Sequence, residues 1–232
     1  MELNVQRVRE DFPVTKHCIY LNTGFFGPIS SPVTEAVKAY LEECRLKGMG
    51  SYEVFGKALV ARERARKELA KLLGAQVNEI ALTSRATEGI NTVVKGLSWK
   101  KGDKVIINDF EYPPTMILWN YLHEKFGVNI VRIKAEKNGL IDPADVEKAV
   151  DERTKLISMC HVTFDTGVVL PAREIGKIAN EHRTLYLLDG AQAVGAIKVD
   201  VKEIGCHFYA ISGQKFLGAG EGTGALFFEK ER

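Results

Sequence analysis

The sequence lacks the features of a membrane or secreted protein. None of its uninterrupted apolar runs approaches the ~20 residues that a bilayer-spanning helix needs. The first residues alternate polar and apolar side chains and contain no apolar core typical of a secretion signal. We therefore expect no interaction with a membrane and no secretory leader.

The sequence also lacks a large excess of positive or negative charge, and its cysteines do not follow a regular spacing. The 32 basic and 30 acidic residues are interspersed, so no basic stripe indicates a nucleic-acid partner. The four cysteines lie far apart without CxxC spacing, mostly in apolar stretches, which is typical of reduced thiols and predicts a cytoplasmic protein. The five histidines show no metal-ligand spacing, so we predict no metal site.

What is present is an alternation of apolar strands and helical segments. After helices predicted from Ser31 to Gly48 and from Ala61 to Leu73, strands are predicted at residues 80–83, 105–108, 130–133, 156–159, 185–188 and 208–211. This order predicts a three-layer α/β fold with a mostly parallel sheet and helices on both faces. A last strand at 224–229 follows too soon for a helical crossover, so we expect it to run antiparallel.

Asp189 and Lys215 carry most of the chemical information. Each follows an apolar strand, and because the carboxyl ends of parallel strands meet at one edge, both can reach one site. A lysine can hold the aldehyde of pyridoxal 5'-phosphate (PLP) as a Schiff base, and a carboxylate can keep its ring nitrogen protonated. The alternatives are that Asp189 caps residues 190–195 and that Lys215 is a surface lysine beside a flexible turn.

Polar groups suited to a phosphate lie near both predicted strand ends. Ala86 and Thr87 begin a predicted helix, where free amides attract an anion, although ordinary capping explains such a start as well. Ser212 and Gln214 flank the lysine and can donate hydrogen bonds to phosphate oxygens. The first βα turn lacks GxGxxG, which argues against a dinucleotide-binding enzyme.

Two ring side chains follow predicted strands. Tyr112 can lie flat on a pyridine ring, or it is a half-buried boundary tyrosine beside Pro113 and Pro114. His161 is either a hydrogen-bond donor to a ligand or a satisfied histidine near the core.

With these residues in place, the chain resembles the class V aminotransferases, a family of PLP enzymes of fold type I. The family includes cysteine desulfurases, selenocysteine lyases and isopenicillin-N-epimerase-like proteins. The likeness runs from Tyr20 to the chain end and is strongest in Asp-Gly-Ala-Gln-Ala-Val-Gly (189–195) and Ser-Gly-Gln-Lys-Phe-Leu-Gly (212–218). It implies that Lys215 forms the Schiff base, that Asp189 pairs with the ring nitrogen and that Gln192 binds the ring's phenolic oxygen.

The resemblance also assigns the remaining site residues. Tyr112 takes the ring-stacking position usually held by histidine, and the phosphate is held by Ala86, Thr87, Ser212 and Gln214. Gln214 replaces a histidine that many relatives have. Phe164 and Asp165 stand near where desulfurases place an asparagine, which favours the epimerase-like branch.

The resemblance further implies an organisation into an N-terminal segment, residues 1–20, and a PLP-binding large domain, residues 21–232. It implies a homodimer with the site at the subunit interface. The family continues into a small C-terminal domain, which brings the arginine that grips the substrate carboxylate, the desulfurase cysteine and a threonine-containing loop. We expect that domain to be absent from this chain or supplied by a separate chain.

The expected function is that of a PLP-dependent enzyme acting on a small amino acid through Lys215. Transamination, β-elimination, desulfuration and epimerisation all stay open, because the groups that select among them lie outside this sequence. The alternative is a truncated or split large domain that binds cofactor or a partner chain without turnover.

Overall fold

The computed structural model describes residues 4–230. Its seven strands are β1 (Ile80–Thr83), β2 (Lys104–Asn108), β3 (Asn129–Ile133), β4 (Thr154–Cys160), β5 (Leu185–Asp189), β6 (Phe208–Ser212) and β7 (Gly224–Phe228). The helices within that range are α1 (Val5–Glu10), α2 (Ser31–Lys47), α3 (Tyr52–Leu73), α4 (Ala86–Gly96), α5 (Pro113–Phe126), α6 (Pro143–Ala149), α7 (Ala172–Glu181) and α8 (Val201–Ile204).

The strands form one sheet in the order β1-β7-β6-β5-β4-β2-β3. All neighbours are parallel except β7, which runs antiparallel to both β1 and β6. Because β7 alone is antiparallel to its neighbours, the other six strands all run in the same direction. Their carboxyl ends, at Thr83, Asn108, Cys160, Asp189 and Ser212 among others, therefore lie along one edge.

Local sequence signals explain where several helices begin and end. The Asp142 side chain accepts from the Ala144 amide, and Pro143 follows in the first turn, where its missing N–H costs nothing. Helices α3 and α5 both end at a glycine with positive φ, at Gly74 and Gly127. These residues fix the lengths of the elements that frame the sheet.

Alternation along the strands divides the core between the two sheet faces. In β2, for example, Ile106 packs with α3, α6, α7 and α8 on one face, whereas Val105 and Ile107 pack with α4 and α5 on the other. The predicted three-layer arrangement, mostly parallel sheet and antiparallel last strand are confirmed.

The N-terminal third is more helical than the sequence predicts. Helix α3 begins at Tyr52 rather than near Ala61, because the Ser51 hydroxyl accepts from the Val54 amide and caps it there. No described helix combines the length and apolar character needed to cross a membrane. The division into residues 1–20 and 21–232 stays a prediction, and residues 1–3 and 231–232 lie outside the described residues.

Candidate functional site

One cavity opens at the carboxyl edge of the sheet, and we call it the central cavity. All eight residues predicted for the site line it: Ala86, Thr87, Tyr112, Asp189, Gln192, Ser212, Gln214 and Lys215. They come from the ends of β1, β2, β5 and β6 and from the loops that follow. Parallel strands thus bring together side chains that are far apart in sequence.

Asp189 and Lys215 interact electrostatically across this cavity. Burial raises the pKa of the Asp189 carboxyl, while the Ala191 amide and the Lys215 charge lower it. Burial lowers the pKa of the Lys215 amine, and the charge of Asp189 opposes that shift. A lysine with a lowered pKa is more often neutral and therefore a better nucleophile.

Asp189 also takes part in a local turn. Its Oδ1 accepts from the Ala191 amide at 2.9 Å, as the capping alternative predicts, yet residues 190–195 form turns rather than a helix. The same carboxylate therefore shapes the turn and faces the cavity. The two interpretations of Asp189 are compatible.

The start of α4 provides an unpaired amide donor. Its N-cap residue, Arg85, makes no side-chain capping bond. The Ala86 amide donates to Ser212 Oγ at 3.1 Å, which joins β6 to the helix start, and within residues 4–230 the Thr87 amide has no acceptor. Gln214 Oε1 is buried and also lacks a partner among the described residues. Such unsatisfied polar groups indicate a place built for a polar ligand.

Tyr112 stands at the cavity mouth beside the lysine. Lys215 Nζ lies 5.8 Å from the centroid of the Tyr112 ring, and Phe164 packs edge-on against the same ring at 5.7 Å. Tyr112 is 38% exposed and begins α5 as its N-cap residue. Its position suits contact with a flat ring held by Lys215.

A segment from Tyr20 to Gly27 crosses over the lysine. The Gly27 amide donates to the Gln214 carbonyl at 2.7 Å, and Gln192 Nε2 donates to the Gly24 carbonyl at 2.8 Å. A Cβ at position 27 would clash with the Lys215 carbonyl oxygen, so only glycine fits there. Because Gln192 Nε2 carries a second N–H, it keeps a donor for a ligand.

Glu111 is a cavity residue that the sequence interpretation missed. Burial, together with the nearby charge of Asp189, raises the pKa of this carboxyl to about 8. It accepts from Trp119 Nε1 at 3.1 Å and from Asn108 Nδ2 at 2.9 Å. Its place directly before Tyr112, at a strand end, was the available signal. Arg85 also lines the cavity and was missed in the same way.

His161 proves to be a core histidine and lies outside the central cavity. Its Nδ1 is 2.7 Å from the Tyr209 hydroxyl, and burial lowers the pKa of the imidazole to about 4. A neutral, hydrogen-bonded ring inside the protein matches the second of the two interpretations.

Comparisons with known proteins agree with this geometry. Residues 26–232 match the family Aminotransferase class-V. The chain belongs to the class V aminotransferase family. A probable cysteine desulfurase of Methanothermobacter thermautotrophicus is 35% identical over 226 residues, which are 97% of this chain and 56% of that protein.

Solved structures show the same class V fold. A cysteine desulfurase from Thermococcus onnurineus NA1, solved in the apo state, matches with a TM-score of 0.88 and 30% identity over 100% of this chain and 58% of that chain. A C-DES variant with glycine covalently linked to its PLP cofactor shares the fold, with a TM-score of 0.91 at 24% identity, over 96% of this chain and 60% of that chain.

The chain spans little more than half the length of these class V relatives. The Methanothermobacter and Thermococcus proteins are both named cysteine desulfurases. The epimerase-like branch indicated by Phe164 and Asp165 stays a prediction.

Proposed function

We propose that this chain binds PLP in the central cavity and uses it to transform a small amino acid. The observation that carries the proposal is the convergence of all eight predicted residues on one cavity, with Asp189 at the end of β5 and Lys215 in the loop after the neighbouring strand β6. Membership of the class V family supports it. Cysteine is the first substrate to test, because the relatives are named for it.

The residues present fit this cofactor. PLP carries an aldehyde that condenses with amines, a ring that accepts electrons from the substrate α-carbon and a phosphate. The unpaired Thr87 amide and the Ser212 hydroxyl suit the phosphate, and rotation of the Gln214 side-chain amide turns its NH₂ toward the cavity. Partly buried Asp189 needs a cation, and a protonated ring nitrogen supplies one.

Lys215 has two tasks in this proposal. Its Nζ holds the cofactor covalently, and burial keeps the pKa of this amine low enough to make it a nucleophile. With PLP and an amino acid bound, Nζ would be placed to accept a proton from the substrate α-carbon and to return it. Asp189 keeps the opposite end of the site negative, and Tyr112 covers one side and excludes water.

Which substrate bond breaks is proposed here and is not read from the geometry of the site. Desulfuration of cysteine is the first candidate, with transamination, β-elimination and epimerisation as the other outcomes. The proposal concerns a chain that spans about 56% of its first curated relative, so activity of the chain by itself is a separate measurement.

We also propose that the chain forms a homodimer near the site. The segment over the lysine exposes Leu21 and Phe25, and Ile19 directly before it is exposed as well; Ile19 and Leu21 are both 88% exposed. Exposed apolar side chains this close together are typical of a protein interface. Sedimentation equilibrium decides between a dimer and a monomer.

The proposed function is tested with the Lys215→Ala variant and a Lys198→Ala control. Wild type and control mixed with PLP should develop a visible absorbance band, and borohydride should fix the cofactor on the peptide that contains Lys215. Lys215→Ala should show neither. A colourless wild-type protein, or label on another lysine, would contradict the proposal. Release of sulfide from cysteine then measures turnover.

A further inference from the structure

A second cavity adjoins the central one on the side of the segment that crosses the lysine. We call it the outer cavity; Asn22, Phe25 and Phe26 line it on one side and Phe164 on another. Arg85, Tyr112, Phe164, Gln192, Gln214 and Lys215 line both cavities. The two cavities therefore meet at Lys215, and a molecule in the outer cavity that reaches the lysine contacts these residues.

The backbone of Arg85 is held firmly while its side chain is not. The residue is extended, with φ −173° and ψ 169°, and it precedes α4. Gly224 packs against it so closely that a Cβ at position 224 would lie 2.6 Å from the Arg85 Cα. The Arg85 side chain is 49% exposed. A side chain whose backbone is held in place and whose guanidinium is exposed is suited to binding a ligand.

The ionic partner of the Arg85 guanidinium is loose. In the described part of the chain it is paired only with Glu221, at 3.7 Å from Nη2 to Oε1, and Glu221 is itself 67% exposed. Glu221 lies on a loop that contains Gly218 and Gly222, both with positive φ. An exposed pair at this distance contributes little to stability, so a better carboxylate can replace Glu221.

The other cation in the two cavities is Lys215, which the proposed function commits to the cofactor. Among the described residues that line either cavity, Arg85 and Lys215 are the cations, and Glu111 and Asp189 are the acids of the central cavity. A carboxylate that enters the outer cavity therefore meets one positive group, Arg85, that is only loosely paired.

We propose that Arg85 binds the α-carboxylate of the amino-acid substrate in the outer cavity, in exchange for Glu221. The inference rests on the proposed function, because it assumes that the substrate amine reacts at the position of Lys215. A guanidinium presents two parallel N–H donors to a carboxylate, which gives both energy and a fixed orientation. The sequence resemblance assigns this task to an arginine from the small domain, whereas Arg85 lies in the large domain.

The competing ligand for Arg85 is the cofactor phosphate, because Ala86 and Thr87 follow directly. The two sources of negative charge differ in place. Of the predicted phosphate donors, Ala86, Thr87 and Ser212 line only the central cavity and Gln214 lines both, whereas the Arg85 side chain reaches from the central cavity into the outer one. The experiment must therefore measure cofactor affinity and substrate affinity separately.

The test uses 2-aminobutyrate and propylamine, which differ only in the carboxylate. PLP affinity is measured by fluorescence quenching, and ligand affinity by the concentration that half-shifts the cofactor absorbance band. For Arg85→Met we expect a loss of about tenfold or more in affinity for 2-aminobutyrate, since charge-assisted hydrogen bonds are worth about 1.5–3 kcal/mol. Affinities for propylamine and for PLP should stay within twofold of wild type.

Glu221→Gln is the variant for which the opposite change in affinity is expected. Because it removes the competing carboxylate, we expect tighter binding of 2-aminobutyrate and unchanged binding of propylamine. Arg85→Lys should recover part of the loss, and far-UV circular dichroism of each variant checks that it is folded.

Three results overturn the inference. Equal losses for both ligands in Arg85→Met would show that the carboxylate is not what Arg85 recognises. A loss of PLP affinity with unchanged preference for 2-aminobutyrate would assign Arg85 to the phosphate. Unchanged affinity for every ligand would leave Arg85 without this role. A wild-type protein without any cofactor band would instead contradict the proposed function itself.

Discussion

The carboxyl edge of the sheet and the pair of helices α2 and α3 are built in opposite ways. At the sheet edge, functional side chains rise from strands that are buried on both faces. In the helix pair, which we call the helical arm, α2 contributes no buried residue within the described range, and α3 buries only Val54, Ala70 and Leu73. The arm instead exposes apolar side chains such as Leu41 and Phe55.

The difference separates two ways of holding a helix or strand in place. Buried strands have one permitted register, so the side chains at their ends are positioned within narrow limits. The arm is held mainly by helix propensity and by exposed ion pairs, and these do little to fix the positions of its side chains. We therefore expect substitutions at the sheet edge to change stability and ligand binding together, and substitutions of exposed residues in the arm to change neither in the isolated chain.

The largest expected difference in stability is between a substitution of Trp119 in α5 and a substitution of Leu41 in the arm. Trp119 is completely buried and donates to Glu111, whereas Leu41 is 57% exposed. Trp119→Ala should lower the free energy of unfolding by about 3–5 kcal/mol, because it removes a large buried ring and leaves a cavity. Leu41→Ala should change it by less than about 0.5 kcal/mol. Urea denaturation of the cofactor-free protein measures both.

Equal costs for Trp119→Ala and Leu41→Ala would break the comparison. A cost for Leu41→Ala that grows with protein concentration would sharpen it, because a second copy would then cover the arm, in line with the proposed homodimer.

An intermediate effect is expected at Glu111, through pH. The pKa of this carboxyl is raised by burial to about 8, so the folded protein binds a proton that the unfolded chain releases near pH 4.5. The stabilising contribution of this proton is complete below about pH 4.5 and is lost progressively as pH rises from there to about 8. Glu111→Gln removes this loss, and it should raise stability relative to wild type by about 4 kcal/mol near pH 8.

Thermal unfolding of the cofactor-free wild type and Glu111→Gln from pH 5 to pH 9 checks this expectation. The two curves should meet at low pH and separate as pH rises. Parallel curves would mean that Glu111 does not titrate in this range. Glu53→Gln in the arm is the matched control, because Glu53 is exposed and its hydrogen bonds with Lys47 and Lys57 lower the pKa of its carboxyl.

Glu111 and Arg85 show why part of the site escaped prediction. The strands and the pair Asp189 and Lys215 could be predicted, because apolar runs bounded by polar motifs are visible in a short stretch of sequence. The environment of Glu111 depends on Trp119 in another element and on Asp189, which ends a strand two positions away from β2 in the sheet order.

The reach of Arg85 depends on Gly224 and on the segment around Asn22. Contacts of this kind between distant parts of the chain leave no local pattern. Sequence analysis could therefore place the strand ends but could not specify the surroundings of their side chains.

The smallest effect is expected from the ion pairs of the arm. Lys57 Nζ pairs with Glu53 at 3.3 Å and also with Glu43, and all three side chains are substantially exposed. Lys57→Met should lower the Tm by less than about 2 °C, because water and salt already screen the pair. In ~1 M NaCl, where the Debye length is about 3 Å, wild type and variant should melt together. A large loss of Tm that persists in high salt would mean that the Lys57 side chain holds the arm by packing. The arm and the sheet edge would then differ less than the burial of their residues indicates.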